Sequence, residues 1–258
     1  MLTWGALNIV GGDARTLERI AEAQRQIANA ADEEITALGI EHDEEGNRAK
    51  AYLWCLETRC PRTGWLVPMA TSWVISWNQR TCARLIPDHA NRRFEIEIVT
   101  TAGDEELAAA ALGTVQDGAL FYELDGEVHR TPIATLRGDY RLPDGTTGNR
   151  LRQWEKADIG PRPEDIFQER LYCIQWISRE TLQLRRQRLF FAAPGPADLA
   201  REHMIEAIVR DNLARWQKQG LVPSMPIEPG DKTDEPIRTR GWTYWHHLSR
   251  VKSTPWSA

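Results

Sequence analysis

The chain has 258 residues, of which 41% are hydrophobic and 27% charged, and this length and composition are those of a globular protein with a substantial core. Its net charge of −5 excludes a protein that binds polyanions over its whole surface. The balance is −5 for residues 1–50, −4 for 51–136, +3 for 137–190 and +1 for 191–258, so any nucleic-acid contact is expected in the second half.

Hydropathy and cysteine content indicate the cellular compartment of the protein. No apolar run reaches the roughly 18 residues that a membrane span needs, and no basic segment followed by an apolar stretch indicates a signal peptide. We therefore expect no membrane partner. Four cysteines are too few for a disulfide scaffold, which favours a reducing cytoplasm.

The N-terminal segment predicts a helix. Residues 14–38 place apolar side chains at helical spacing among Ala, Glu and Arg, and these are Leu17, Ile20, Ala21, Ile27 and Ile35. Asp13, directly before them, is a suitable N-cap. We predict one amphipathic helix followed by an exposed turn.

The β region begins at residue 51, where short runs rich in Val, Ile, Trp and Phe are broken by Pro, Gly and Asn. The run FEIEIV alternates as a half-buried strand does, and the region predicts an antiparallel meander. Residues 104–113 predict a short helix with an acidic first turn. Asp125–Gly126 lies between two alternating runs and predicts a hairpin.

The second half is predicted to be mainly helical. Residues 137–163 are rich in Gly and Pro and form the predicted domain boundary. Pro163, followed by Glu164 and Asp165, is a helix-start pattern, and residues 197–220 predict the strongest helix of the chain. The predicted fold class is therefore α+β, with an N-terminal helix in 1–50, an antiparallel zinc-ribbon-like β region in 51–136, and a helical second half in 137–258.

The stretch CLETRCPRTGW, which contains Cys55 and Cys60, has the form of half a zinc knuckle. A knuckle of the form Cys-Pro-x-Cys-Gly would place its second thiol where this chain has Thr63, and a hydroxyl is a poor zinc ligand. The pattern favours buried thiols on a knuckle-like hairpin without metal. The alternative is a zinc site formed by Cys55, Cys60, Cys82 and His89.

Two segments combine cations with flat aromatic rings, which suit phosphate contacts and base stacking. The candidate contacts are Arg150, Arg152 and Trp154 in one segment and Arg238, Arg240, Trp242, Tyr244 and Trp245 in the other. The first segment is alternatively a solvated loop. The second alternatively anchors a partner domain, because Trp, Tyr and Arg form interfaces. The RRQR run at 185–188 is interpreted as a solvated face.

Catalytic signatures are absent from the sequence. It contains no Gly-x-Gly-x-x-Gly, no Walker loop, no His-Glu-x-x-His and no Gly-x-Ser-x-Gly. We therefore predict no catalytic residue and no bound cofactor in this chain.

Four long stretches carry a resemblance to a known family, and they are AYLWCLETRCPRTGWLVPMATSWVIS, GTVQDGALFYELDGEVHRTPIATLRGDYR, RPEDIFQERLYCIQW and IRTRGWTYWHHL. They resemble the middle region of bacterial and archaeal adenine-specific DNA methylases that contain a zinc ribbon. The resemblance implies a family that transfers a methyl group from S-adenosylmethionine to the exocyclic amino group of adenine after the base is flipped.

The chain departs from this family in its functional motifs. The Asp-Pro-Pro-Tyr motif and the Gly-containing cofactor loop are missing, and of the ribbon's Cys-Pro-x-Cys-Gly unit only Cys60 is present, with Cys55 upstream. The family continues beyond GWTYWHHL, whereas this chain has SRVKSTPWSA. We therefore expect an internal piece, or the product of a truncated or split gene.

The resemblance and its departures predict a non-catalytic region of an adenine-specific DNA methyltransferase-like protein. This region would contact DNA or pack on the catalytic domain. One alternative is a protein-interaction subunit that docks on a separate methylase chain carrying the missing motifs. A second is a metal-dependent enzyme that uses Cys55, Cys60 and the histidines.

Overall fold

The computed structural model describes residues 13–155, 157–222, 224 and 230. Helices and strands both contribute, so the predicted α+β class is confirmed. The helices are α1 (Ala14–Leu38), α2 (Asp104–Ala111), α3 (Ile133–Arg137) and α4 (Pro196–Lys218), with a 3₁₀ turn at Arg179–Thr181. None of the helices in this part of the chain is long and apolar enough to span a membrane.

Twelve strands are present among the described residues, in chain order. They are β1 (Arg48–Arg59), β2 (Leu66–Met69), β3 (Val74–Ser76), β4 (Thr81–Asp88), β5 (Arg93–Val99), β6 (Val115–Gln116), β7 (Ala119–Leu124), β8 (Glu127–Pro132), β9 (Tyr140–Arg141), β10 (Thr147–Gly148), β11 (Phe167–Ile177) and β12 (Leu189–Ala192).

Seven strands form the main sheet, in the order β12-β11-β1-β2-β5-β4-β3. All neighbours are antiparallel except β2 and β5, which are parallel and joined by the pair Leu66 and Arg93. The predicted meander is therefore wrong at this point, because β2 is next to β5 rather than β3. The pairs β3–β4 and β4–β5 follow chain order as predicted.

The longest strand pairing, β1 with β11, corrects the predicted helical second half. Residues 163–177 were predicted as a helix, and Phe167–Ile177 is instead a strand paired along β1 from Arg48 to Thr58. The carboxylate of Asp165 accepts hydrogen bonds from Arg152 and from the backbone N–H of Arg162. The backbone N–H of Asp165 donates to the oxygen of Arg162, which closes a turn, and the chain then enters the strand at Phe167. Strands from both sides of the 137–163 segment belong to this one sheet.

The main sheet curls so strongly that its two edges approach each other. Gln79, in the turn between β3 and β4, donates from Nε2 to the backbone oxygen of Leu189 in β12 at 3.4 Å. Trp73, before β3, packs edge-to-face on Tyr172 of β11 with ring centroids 5.6 Å apart. The inner face therefore encloses a core that includes Cys55, Trp73 and Cys82.

A smaller sheet, β6-β7-β8, packs against the turn between β1 and β2. Its hairpin confirms the prediction, since Asp125 and Gly126 both have positive φ (54° and 79°), as a two-residue hairpin turn requires. Leu120 and Tyr122 of β7 share a buried cluster with Cys60. The predicted zinc-ribbon-like region is thus two β-sheets that meet at the Cys60 turn.

The three longer predicted helices outside the β11 region match in position. Asp13 caps α1 by accepting a hydrogen bond from the backbone N–H of Thr16 at 2.7 Å, and Gly39 ends the helix. α2 begins with three acidic residues, as its N-terminal dipole favours. Within α4, Glu202, Val209 and Leu213 are buried.

Candidate functional site

The turn that begins at Cys60 has the local shape of a knuckle. The backbone N–H of Cys60 donates to the oxygen of Trp65, and the N–H of Gly64 donates to the oxygen of Cys60, both at 2.8 Å. These bonds close a tight loop between β1 and β2. The Cys60 thiol is fully buried beneath the β7–β8 hairpin.

Hydroxyl groups surround the Cys60 thiol. Its Sγ lies 3.6 Å from Oγ1 of Thr131, and the hydroxyl of Thr63 lies 2.6 Å from that of Tyr122. Burial raises the pKa of Cys60, but hydrogen bonds from Tyr122, Thr131 and the N–H groups of Thr63 and Arg62 outweigh burial and lower the pKa to about 7. The site therefore favours the thiolate form more than an ordinary buried thiol does.

The four candidate zinc ligands are not brought together. Cys55 and Cys82 are buried in the core of the main sheet, while Cys60 belongs to the second cluster. His89 is exposed, 3.4 Å from Asp125, with its ring on the edge of Trp65. In the ranges that the structure describes, no three His, Cys, Asp or Glu side chains form a metal-binding group. This arrangement does not fit a tetrahedral zinc site.

Arg152, a predicted DNA contact, forms an internal ion cluster. Its guanidinium binds both oxygens of Asp165 at 2.7 Å and Oδ2 of Asp158 at 2.6 Å. Arg162 adds a bond to Asp158 at 3.0 Å. Hydrogen bonding to Asp165 raises the pKa of Arg152. This geometry ties the loop before β11 in place and does not favour a phosphate contact by Arg152.

The other predicted contacts differ in position. Arg150 is exposed, and its aliphatic stem packs beside Gly138 at the end of α3. Trp154 is half-buried. The C-terminal candidates, which are Arg238, Arg240, Trp242, Tyr244 and Trp245, lie outside the described residues. Of the three candidates that the structure describes, only Arg150 is exposed.

A different aromatic and cationic surface forms where the sheet edges meet. Trp77, in the turn between β3 and β4, is 61% exposed. Arg185, Arg186 and Arg188, in the loop between β11 and β12, are exposed as well. The bond from Gln79 to the backbone of Leu189 joins these two loops. Gln79 lies two residues from Trp77, and Leu189 lies one residue from Arg188. We call Trp77 and these three arginines the Trp77 surface.

The charges of the Trp77 surface are only partly neutralised. Arg188 lies 3.3 Å from Glu180. Within the described part of the chain, no side-chain hydrogen bond or ion pair engages Arg185 or Arg186. Sequence reasoning missed this surface because 108 residues separate Trp77 from Arg185, and only the curl of the sheet brings their two loops together.

A cleft of about 850 Å³ is lined by β1, β5, β11, residues 157–163 and α4. The side chains on its walls carry both charges, as in Glu57, Glu206, Arg170 and Arg210. Glu57 is buried, and its Oε2 lies 3.6 Å from Arg170. The walls of the cleft therefore do not carry a single sign of charge.

Comparison with known proteins gives no relative for this fold or these surfaces. No protein-family model, curated protein or solved structure matches the chain. The arrangement itself is an α+β protein with a curled seven-stranded sheet, a knuckle-like turn at Cys60 and an exposed aromatic and cationic surface where its sheet edges meet.

Proposed function

We propose that this chain is a non-catalytic region of an adenine-specific DNA methyltransferase-like protein and that it contacts DNA through the Trp77 surface. The proposal is supported by the resemblance of four sequence stretches to that methylase family. It is supported independently by an exposed indole on a loop that is bonded to the segment carrying three exposed arginines. In this role the chain holds the nucleic acid, and a catalytic domain carries the cofactor and the reaction.

The observation that carries the proposal is the exposure of Trp77 on one loop and of Arg185 and Arg186 on another, with the two loops joined by the bond from Gln79 to Leu189. A tryptophan that presents most of its surface to solvent loses the gain of burial, but its face is available to a nucleobase. Guanidinium groups bind phosphate oxygens through paired hydrogen bonds. The pairing of these groups suits a strand with exposed bases and a charged backbone.

The surface suits single-stranded DNA better than duplex DNA. In a duplex both faces of each base are stacked on neighbours, so an indole finds no free face without inserting between base pairs. A displaced or flipped strand offers free faces, and methylation of an adenine amino group requires such a strand. We therefore place the contact on nucleotides next to the reacting base.

The test measures fluorescence anisotropy of labelled single-stranded and duplex DNA with the intact chain at several salt concentrations. Trp77→Ala should weaken single-strand binding by about 1–3 kcal/mol, which is the range for one lost base stack. Arg185→Ala/Arg186→Ala should lower the slope of log affinity against log salt by about 1.4, since each lost phosphate contact contributes roughly 0.7.

The matched control is Arg62→Ala/Arg130→Ala, which removes two exposed arginines from the β1–β2 turn and β8. It should leave the salt slope close to that of the parent. An equal loss in both double variants would mean that charge alone drives binding and would contradict a localised surface. No binding by the parent at low salt would instead favour a subunit that docks on a separate methylase chain.

A further inference from the structure

Helix α1 is long, capped at both ends, and without a buried residue. Its exposed apolar residues include Leu17 and Leu38, which are 40% and 44% exposed, and Ile27, which is 70% exposed. At 1.5 Å per residue its 25 residues extend for roughly 37 Å. The helix therefore presents an apolar face that no described part of the chain covers completely.

A helix of this kind is not stable through its own hydrogen bonds alone. Nucleation is unfavourable, and most helix stability in proteins comes from packing an amphipathic face against a partner. At 100° per residue, the Leu and Ile side chains of α1, together with two of its alanines, lie within a stripe roughly 100° wide. These are Leu17, Ile20, Ile27, Ala28, Ala31, Ile35 and Leu38. A stripe of this width suits packing against one other helix.

The stripe is symmetric about its own centre, between Ile27 and Ala28. When a second copy is placed antiparallel with Ile27 opposite Ala28, each remaining Leu or Ile of the stripe meets another Leu or Ile, and Ala31 meets the polar Gln24. The resulting pairs are Leu17 with Leu38, Ile20 with Ile35, and Gln24 with Ala31. The largest side chains then meet each other near the two ends of the helix pair. At the centre Ala28 lies opposite Ile27, and on each side of the centre Ala31 lies opposite Gln24. These small alanine side chains allow the helices to approach closely.

The charges of α1 favour the same orientation. Its first half has three arginines and two glutamates, and its second half has Asp32, Glu33 and Glu34 and no base. An antiparallel pair places each cationic half against an acidic half, whereas a parallel pair places the two acidic halves side by side. The helix dipoles also oppose each other favourably in the antiparallel pair.

One charge pair lies at the edge of the stripe. Arg25 binds Glu22 of its own helix at 2.5 Å. In the antiparallel register Arg25 of one copy also lies about two residues, or roughly 3 Å, from the level of Asp32 in the other. Asp32 already binds Arg48 at 2.5 Å and remains half-exposed, and a carboxylate accepts several hydrogen bonds. Symmetry makes this contact twice.

We propose that α1 is a self-association surface, and that two copies of this chain pair through antiparallel α1 helices centred on Ile27 and Ala28. The occupant is a second copy because the apolar pattern and the charges are both complementary to themselves after reversal. The bond between Arg48 and Asp32 ties α1 to the start of β1, so pairing joins the two main sheets through their β1 strands.

The experiment is sedimentation of the intact chain at tens of micromolar, comparing the parent with Ile27→Glu and Gln26→Glu. The parent and Gln26→Glu should sediment as dimers, because Gln26 lies on the opposite face of the helix. Ile27→Glu should sediment as a monomer, with its dimer dissociation constant raised at least 100-fold. Because Ile27 is exposed, the variant keeps its fold, which circular dichroism checks. A monomeric parent, or a dimeric Ile27→Glu variant, overturns the proposal.

Thiol crosslinking tests the orientation. The native cysteines Cys55, Cys60, Cys82 and Cys173 are all buried, so an introduced surface thiol reacts alone. A mixture of Leu17→Cys chains and Leu38→Cys chains should form a disulfide-linked heterodimer under mild oxidation. Each variant alone should not crosslink. Crosslinking of Leu17→Cys with itself would indicate a parallel pair and overturn the antiparallel arrangement.

Discussion

The hydroxyl oxygens of Thr63 and Tyr122 lie 2.6 Å apart, across the boundary between the β1–β2 turn and the smaller sheet. Thr63 occupies the position at which a Cys-Pro-x-Cys-Gly knuckle would present a second thiol. A zinc ion would hold such a turn by coordination. Here a hydrogen bond from one sheet to the other holds it, and the neighbouring Cys60 is held in the same network.

The first prediction concerns the pH dependence of stability at Cys60. Its pKa in the folded chain is about 7, below the ordinary value of 9.0. A lowered pKa stabilises the fold above the unfolded pKa, and the contribution is lost as pH falls through the folded pKa. Between about pH 7 and pH 9, the parent should therefore gain up to about 3 kcal/mol relative to Cys60→Ala. Urea unfolding across this range measures the difference.

Cys173→Ala is the control for Cys60. Burial raises the pKa of Cys173 to about 12, so its contribution is present below pH 9 and falls at higher pH, in the opposite direction. If Cys60→Ala followed the parent in parallel from about pH 7 to pH 9, the hydrogen bonds around the thiol would not stabilise a thiolate.

The second prediction concerns the ion cluster of Arg152. Asp158 is only 9% exposed and Asp165 only 10%, so Arg152→Ala would leave two carboxylates without their principal counter-charge. We expect a loss of roughly 3–5 kcal/mol in the free energy of unfolding. Arg141→Ala, which removes an exposed side chain bonded to a loop carbonyl, should cost much less. Equal costs would show that the cluster is not structural.

The same cluster has a predicted acid dependence. Burial alone would raise the pKa values of Asp158 and Asp165, but hydrogen bonds from Arg152 and from backbone N–H groups lower both below the ordinary 3.8. This stabilisation is present above the unfolded pKa and is lost as pH falls through the folded values. The deficit of Arg152→Ala relative to the parent should therefore shrink below about pH 3.8 in acid titrations of unfolding.

The third prediction concerns Gly113, which follows α2. Its φ is +62°, and a Cβ at this position would lie 2.4 Å from the carbonyl carbon of Thr71 and 2.5 Å from the oxygen of Ala70. Gly113→Ala should therefore cost more than about 3 kcal/mol, because the backbone of this segment must move. Thermal unfolding measures the loss.

Gly118→Ala is the matched control for Gly113→Ala. Gly118 has a similar φ of +70°, but nothing lies within 4 Å of its Cβ position. The substitution should cost only the left-handed conformation, about 1–2 kcal/mol. Equal losses at the two glycines would show that the contact with Ala70 and Thr71 relaxes at little cost.

Local patterns predicted α1, the short helix α2, the helix α4, the β7–β8 hairpin and most strands of the main sheet. In each, the signal lies within the element: a cap at Asp13, an acidic first turn at Asp104, a turn pair at Asp125–Gly126. β11 was mispredicted because its outcome depends on β1, a strand more than 100 residues away. Taken alone, Pro163–Asp165 indicates the start of a helix. The pairing of the following residues along β1 makes them a strand instead.

The candidate site was less predictable than the fold. Sequence reasoning identified the Cys60 turn and the missing second thiol at Thr63, but it could not see Tyr122 as the partner of Thr63. It read Arg152 as a free cation because its carboxylate partners follow at short but irregular spacing. The Trp77 surface depends on the closure of the sheet, and no local pattern links its two loops.

The long pairing of β1 with β11 also constrains how the chain is made. Thr58 and Ile166, which join the two strands at 2.8 Å, lie 108 residues apart. At roughly 5–20 residues per second of synthesis, β1 waits on the order of 5–20 s before β11 emerges from the ribosome. During that interval one edge of β1 is unpaired, and such edges recruit other strands. We therefore expect chaperones to act mainly on the nascent chain during this interval, rather than on the finished fold.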